Sequence, residues 1–108
     1  MRFYHNPRCS KSRQALALLE ERGCEVNVVR YLETGVVEED LPVLAQLDGI
    51  VRKKDAGKAV MASLQNEKDI MALLRTNPKM LERPVLISGQ QAVIGRPPED
   101  ILSLLDEA

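Results

Sequence analysis

The chain has 108 residues with a formal net charge of −1, 44% hydrophobic and 29% charged residues. That length allows one domain with a single real core, expected over residues 1–108, and the composition excludes a disordered or strongly basic polymer-binding chain. No apolar run approaches the ~20 residues of a membrane span and no secretory signal is visible, so the expected setting is cytoplasmic, without membrane or nucleic acid partners.

In chain order, residues 2–5 read as a first strand. The periodic segment after it predicts a helix, capped by Ser10 or Ser12, with Ala15, Leu18 and Leu19 on its apolar face. Gly23 ends that helix where a left-handed residue is wanted. Glu25–Arg30 is rich in β-branched residues and predicts a second strand. Strand, helix and strand together make a βαβ unit with parallel strands and a right-handed crossover.

Tyr31–Gly35 reads as a loop. A second helix is expected from near Val37, with Glu38, Glu39 and Asp40 at its positive end and Val37, Leu41, Leu44 and Leu47 facing inward. Pro42 is tolerable there only within the first turn. Gly49 stops the helix. Residues 50–66 show no clean period beyond a short helix at Val60–Leu64. Asn66 caps a clearer helix that points Ile70, Leu73 and Leu74 inward and stops at Asn77-Pro78, and Lys79–Glu82 adds one further turn. These helices form an insertion over about residues 37–81.

Pro84–Ser88 and Gln91–Gly95 flank Gly89-Gln90, which predicts a tight hairpin of antiparallel strands. Pro97-Pro98-Glu99-Asp100 then opens a last helix with Ile101, Leu102, Leu104 and Leu105 on its apolar face. The order is βαβ, helices, then ββα.

Chemistry concentrates in His5-Asn6-Pro7-Arg8-Cys9-Ser10-Lys11-Ser12-Arg13. Cys9 falls at or beside a helix N-terminus, where free N–H groups and the helix dipole favour negative charge. Arg2, Arg8, Lys11 and Arg13 surround it, and no acidic residue occurs before Glu20. Both effects favour a thiolate, and polar neighbours suit a loop rather than a core, so Cys9 is the candidate nucleophile. Cys24 lies beyond a helix that would hold the two sulfurs roughly 18–20 Å apart, too far for a disulfide. One His and two separated Cys give no metal-site pattern. A second basic cluster, Arg52-Lys53-Lys54, suits a small anion better than a polymer.

The βαβ and ββα halves, with a cysteine after the first strand and a proline entering the third, resemble the thioredoxin fold: α/β, with a four-stranded mixed sheet. More narrowly, the cysteine segment, Tyr31-Leu32-Glu33-Thr34, the run Asn77 to Pro84 and Gly95-Arg96-Pro97-Pro98 resemble the glutaredoxin-coupled arsenate reductase family. The resemblance implies that Cys9 attacks arsenate and that Arg52, Arg83 and Arg96 surround the oxyanion. The segment around Arg52 is short, so Lys53 or Lys54 is the alternative third contact. It also implies that Pro84 is a cis-proline facing the cysteine. His5, Asn6, Ser12 and Arg13 are candidate supporting residues; His5 either hydrogen-bonds near the thiol and orients the loop or simply ends a strand.

Guanidinium groups offset the repulsion between a thiolate and a multiply charged oxyanion, and Arg83 and Arg96 fall at one end of the hairpin. Ser12 stands where a Cys-x-x-Cys motif would hold a resolving thiol. An external thiol must therefore complete a two-electron reduction: glutathione as co-substrate, then glutaredoxin, with no bound cofactor and a monomeric enzyme expected. The alternatives are a regulatory protein similar to the Spx-type factors, and a glutaredoxin-like thiol oxidoreductase with another substrate.

Overall fold

A computed structural model describes residues 1–105. Strand β1 (Arg2–Tyr4) leads into helix α1 (Ser10–Glu21), and β2 (Asn27–Val29) follows. Helices α2 (Tyr31–Thr34), α3 (Leu41–Ala45), α4 (Lys53–Ser63) and α5 (Glu67–Thr76) come next, and β3 (Val85–Ser88) and β4 (Gln91–Ile94) close the sheet. Three 3₁₀ turns, at Glu38–Asp40, Pro78–Met80 and Pro98–Leu104, complete the order. The four strands run β2-β1-β3-β4, with β1 parallel to β2 and antiparallel to β3, and β3 antiparallel to β4.

The two-residue period of the strands divides the core. Phe3 and its partner Leu86 face α1 and the C-terminal 3₁₀ helix, where they pack with Ala15, Leu19 and Ile101. Tyr4, Val85 and Ile87 face the other way, onto Tyr31, Leu41, Leu44, Leu74 and Leu81. The sheet is thus sandwiched, and all of these side chains are at most 2% exposed. Apolar residues on both faces of strands only three or four residues long leave β1 and β3 little freedom to slip, because a one-residue shift would reverse every side chain.

Several local expectations are corrected. Tyr31–Thr34 is a helical turn, not a loop, because Tyr31 is drawn fully into the core. The helix expected from Val37 begins as a 3₁₀ turn and becomes α-helical only at Leu41, with Pro42 in its first turn. Helix α4 covers far more than Val60–Leu64. Gly57, at φ +80° and ψ 168°, breaks it into two pieces, which is why the sequence there shows no continuous period. The last element among the described residues, Pro98–Leu104, is 3₁₀ rather than α-helical. Helix α1 is preceded by Cys9 as N-cap, with no side-chain cap, and neither Ser10 nor Ser12 takes that position. The helix at Glu67 keeps its expected cap, since Asn66 Oδ1 accepts from the Asp69 N–H at 3.0 Å.

Asp40 is not a surface residue complementing a helix dipole. It is 2% exposed and accepts from Arg2 Nε at 2.8 Å and Nη2 at 2.6 Å, and from the Tyr4 hydroxyl at 2.6 Å. Tyr4 Oη in turn accepts from the Val37 N–H at 3.1 Å. The cluster ties β1 to the entry of α3, and burial followed by the bond to Asp40 pushes the Tyr4 phenol well above its ordinary value. Asp40→Ala should lower the unfolding free energy by about 3 kcal/mol, since it strands a buried phenol and a guanidinium. Urea denaturation checks this, and a loss near the ~0.5 kcal/mol of a surface change would contradict it.

Candidate active site

The sheet register brings three strand ends together. Tyr4, the last residue of β1, pairs with Val85, the first of β3, and Val85 pairs with Ile94, the last of β4. The segments leaving or entering at those points carry Cys9, Arg83 and Arg96. Gly95 sits against Pro84: its N–H donates to the Pro84 carbonyl at 2.8 Å, and a Cβ there would stand 2.8 Å from Pro84 Cγ. Only glycine lets the two segments lie so close. Arg83-Pro84 is cis, and so is Arg96-Pro97, which the sequence reading did not anticipate.

Cys9 is half-buried and free, as is Cys24 at the far end of α1. Arg96 Nη2 lies 3.6 Å from Cys9 Sγ, while Arg96 Nε donates to the Arg83 carbonyl at 2.8 Å. Burial alone would push the thiol up. It is outweighed by the Ser12 N–H, the Arg83 guanidinium, the Lys11 N–H and the charge on Arg96, so the thiol is held below its ordinary value. The first-turn N–H groups of α1 therefore do what a helix N-terminus does for any anion.

The supporting residues form a small network. His5 Nδ1 lies 2.7 Å from Ser12 Oγ, which also accepts from the Asn6 N–H at 3.0 Å. Asn6 Oδ1 accepts from the Arg8 N–H, the Asn6 carbonyl accepts from the Cys9 N–H, and Arg13 Nη1 donates to the Pro7 carbonyl at 2.8 Å. Ser12 is fully buried and spends its hydroxyl on shaping the loop. Burial, then the charges of Arg30 and Arg13, lower the His5 pKa and keep the ring neutral near neutral pH.

Arg52 does not reach the sulfur in the same way. An isolated bridge between Val51 and Leu81 brings it beside the entry to β3, with the Arg52 N–H donating to the Met80 carbonyl at 2.7 Å. Its Nη1 donates to Glu82 Oε1 at 3.0 Å and its Nε lies 3.2 Å from Asp55 Oδ2. Asp55 also meets Arg83 Nη1 at 3.4 Å, and Glu82 also meets Arg96 Nε at 3.1 Å. The three arginines are thus joined into one cluster by two carboxylates. Lys53 and Lys54, the alternatives to Arg52, are exposed and make no ion pair among the described residues.

A recess of about 290 Å³ is lined by Arg52, Lys53, Lys54, Glu82 and Arg96. A larger one, about 540 Å³, lies among Met1, Leu16, Glu20 and Cys24 and contains none of the arginines. Chemistry, not volume, marks the site.

Sequence reasoning missed Asp55, Glu82 and Tyr31. Tyr31 is fully buried, and its hydroxyl, like Arg83 Nε, has no hydrogen-bond partner among the described residues. Burial raises the Tyr31 pKa, while the charge of Arg83 and the Asn6 side chain oppose it. The alternation of acid and base in Glu82-Arg83 was the available signal, but short-range order alone does not reveal which arginines a carboxylate joins.

A half-buried thiol at a helix N-terminus, with a cis-proline entering β3 of the β2-β1-β3-β4 sheet, defines a thioredoxin-like protein. Residues 4–104 match the ArsC family. The chain is 41% identical to the protein YfgD of Escherichia coli (strain K12), covering 97% of this chain and 96% of that one. It is 40% identical to a protein named arsenate reductase from Neisseria meningitidis (strain MC58), covering 97% of each. The structure of the arsenate reductase from Vibrio cholerae superposes with a TM-score of 0.76 at 36% identity, covering 94% of this chain and 96% of that one. The chain belongs to the ArsC family.

The lowered thiol has a measurable sign. Alkylation of Cys9 should reach half its limiting rate below the ordinary thiol pH, and Arg83→Ala should move that midpoint up. Because the folded thiol is the stronger acid, its contribution to stability is full above the ordinary thiol value and lost as pH falls through the folded value. An Arg83→Ala midpoint at or below wild type would contradict the assignment.

Proposed function

We propose that the chain reduces arsenate, with Cys9 as nucleophile and Arg52, Arg83 and Arg96 as the oxyanion's cationic surroundings. The observation that carries this reading is Arg96 Nη2 at 3.6 Å from Cys9 Sγ, at the head of a cluster of three linked arginines. A thiolate approaching a multiply charged tetrahedral anion meets repulsion, and planar guanidinium groups reduce it while binding oxygens in pairs. The names of relatives from Neisseria meningitidis and Vibrio cholerae support the same substrate.

In the proposed reaction the Cys9 thiolate displaces one arsenate oxygen, which leaves as water after protonation, and an S–As(V) bond forms. A glutathione thiolate then attacks the Cys9 sulfur. The S–As electron pair passes to arsenic, which leaves as protonated arsenite, and a Cys9–glutathione disulfide remains. Glutaredoxin takes glutathione off Cys9 by thiol–disulfide exchange. Ser12 supplies no second thiol, and Cys24 sits at the opposite end of α1, so both reducing equivalents come from outside the chain. The reaction needs no bound cofactor.

Arsenate-dependent NADPH oxidation in the presence of glutathione, glutaredoxin and glutathione reductase tests the reading. Wild type and Cys24→Ser should turn over, Cys9→Ser should not, and Arg96→Ala should lose about 10²-fold or more. Absence of turnover in wild type would sink the assignment and leave a thiol enzyme of another substrate or a regulatory protein.

A further inference from the structure

Glu82 holds an unusual place. One of its oxygens, Oε1, accepts from Arg52 Nη1 at 3.0 Å and from the Arg83 backbone N–H at 3.2 Å, and lies 3.1 Å from Arg96 Nε. A single carboxylate oxygen therefore meets the guanidinium groups of Arg52 and Arg96 and the backbone of Arg83. Its backbone is fixed as well, since the Glu82 N–H donates to the Ile50 carbonyl at 2.7 Å. With its side chain only 19% exposed, Glu82 is not a loose surface acid.

What Glu82 leaves unused on Arg96 and Arg52 matters more than what it takes. On Arg96, Glu82 and the Arg83 carbonyl occupy Nε, and the free Nη2 is the atom that reaches Cys9 Sγ. On Arg52, Glu82 takes Nη1 and Asp55 takes Nε, so Nη2 remains without a partner among the described residues. Three guanidinium groups this close would otherwise repel one another and swing outward to water, since each carries several rotatable bonds. A carboxylate shared by Arg52 and Arg96 offsets that repulsion and fixes which edge of each of these two forks is left free.

We propose that Glu82 is a positioning residue of the thiol site: by bridging the guanidinium groups of Arg52 and Arg96 through one oxygen, which also accepts from the Arg83 backbone N–H, it orients their free edges toward Cys9 and its oxyanion substrate. Asp55 assists from the side by joining Arg52 to Arg83. The substrate half of this proposal rests on the reading of Cys9 as attacking an oxyanion, whereas the thiol half does not.

The sign of the effect on Cys9 separates positioning from its alternatives. A carboxylate acting only through its charge would disfavour the nearby thiolate, so removing it would make the thiol more acidic. A carboxylate that aims Arg96 does the reverse, because losing it lets Nη2 leave the sulfur. Glu82→Gln removes the charge at nearly constant shape. Glu82→Asp keeps the charge but shortens the side chain by one carbon, so one oxygen no longer reaches all three groups.

The experiment measures iodoacetamide alkylation of Cys9 against pH, in a Cys24→Ser background that leaves one thiol, together with arsenate kinetics. Both Glu82 variants should raise the alkylation midpoint and slow alkylation at neutral pH by about threefold or more. The KM for arsenate should rise about tenfold, and more than kcat falls. Faster or unchanged alkylation in Glu82→Gln would overturn the proposal, as would wild-type behaviour of Glu82→Asp. A lowered KM in either variant would mean that Glu82 competes with the substrate instead, and would also overturn it. Should wild type fail to reduce arsenate, the alkylation profiles still decide whether Glu82 sets the thiol.

Discussion

The site depends first on strand register. Tyr4, Val85 and Ile94 lie side by side across β1, β3 and β4, so the chain leaves β1 toward Cys9, enters β3 from Arg83 and leaves β4 toward Arg96 at a single end of the sheet. That register is held because Phe3 and Leu86 are buried on one face while Tyr4 and Val85 are buried on the other. Slipping by one residue would put each of these on the wrong side and separate the thiol from its arginine. The core and the chemistry are thus set by one constraint, and the polar cluster of Arg2, Tyr4 and Asp40 reinforces it from the helical side.

Upon that frame the site solves two charge problems at once. A thiolate must be stabilised in a half-buried place, and several cations must be kept together despite their mutual repulsion. The first is met by the N–H groups at the start of α1 and by Arg83 and Arg96. The second is met by Glu82 and Asp55, which lie between the arginines and hold them as a connected set. Partly buried arginines gain from such partners, because the desolvation they suffer is offset by charge-assisted hydrogen bonds.

Beside the loop between β1 and α1, a small buried hydroxyl stands three residues after the thiol. Ser12 Oγ meets His5 Nδ1 and the Asn6 N–H, and Asn6 in turn receives Arg8 through its side chain and Cys9 through its carbonyl. With His5 held neutral by burial, this network shapes the loop without adding charge beside the sulfur. The result is a one-thiol site, since the other free cysteine, Cys24, lies beyond the far end of α1.

Much of this was determined by the sequence alone. Apolar and β-branched runs specified the strands, the period of Ala15 and Leu19 specified α1, and the cysteine's basic, polar surroundings marked it as the candidate nucleophile. Hairpin geometry was enough to put Arg83 and Arg96 at one end. Tertiary structure decided the rest, because it depends on contacts between residues far apart in the chain. It buried Tyr31 and so turned an apparent loop into a helical turn, and it drew Asp40 inward to Arg2 and Tyr4. It placed Arg52 through the bridge between Val51 and Leu81, in a segment whose periodicity Gly57 had broken. Above all it set one oxygen of Glu82 among three arginines. A sequence lists charges in order, but which of them share a hydrogen bond is settled only when the chain has closed on itself.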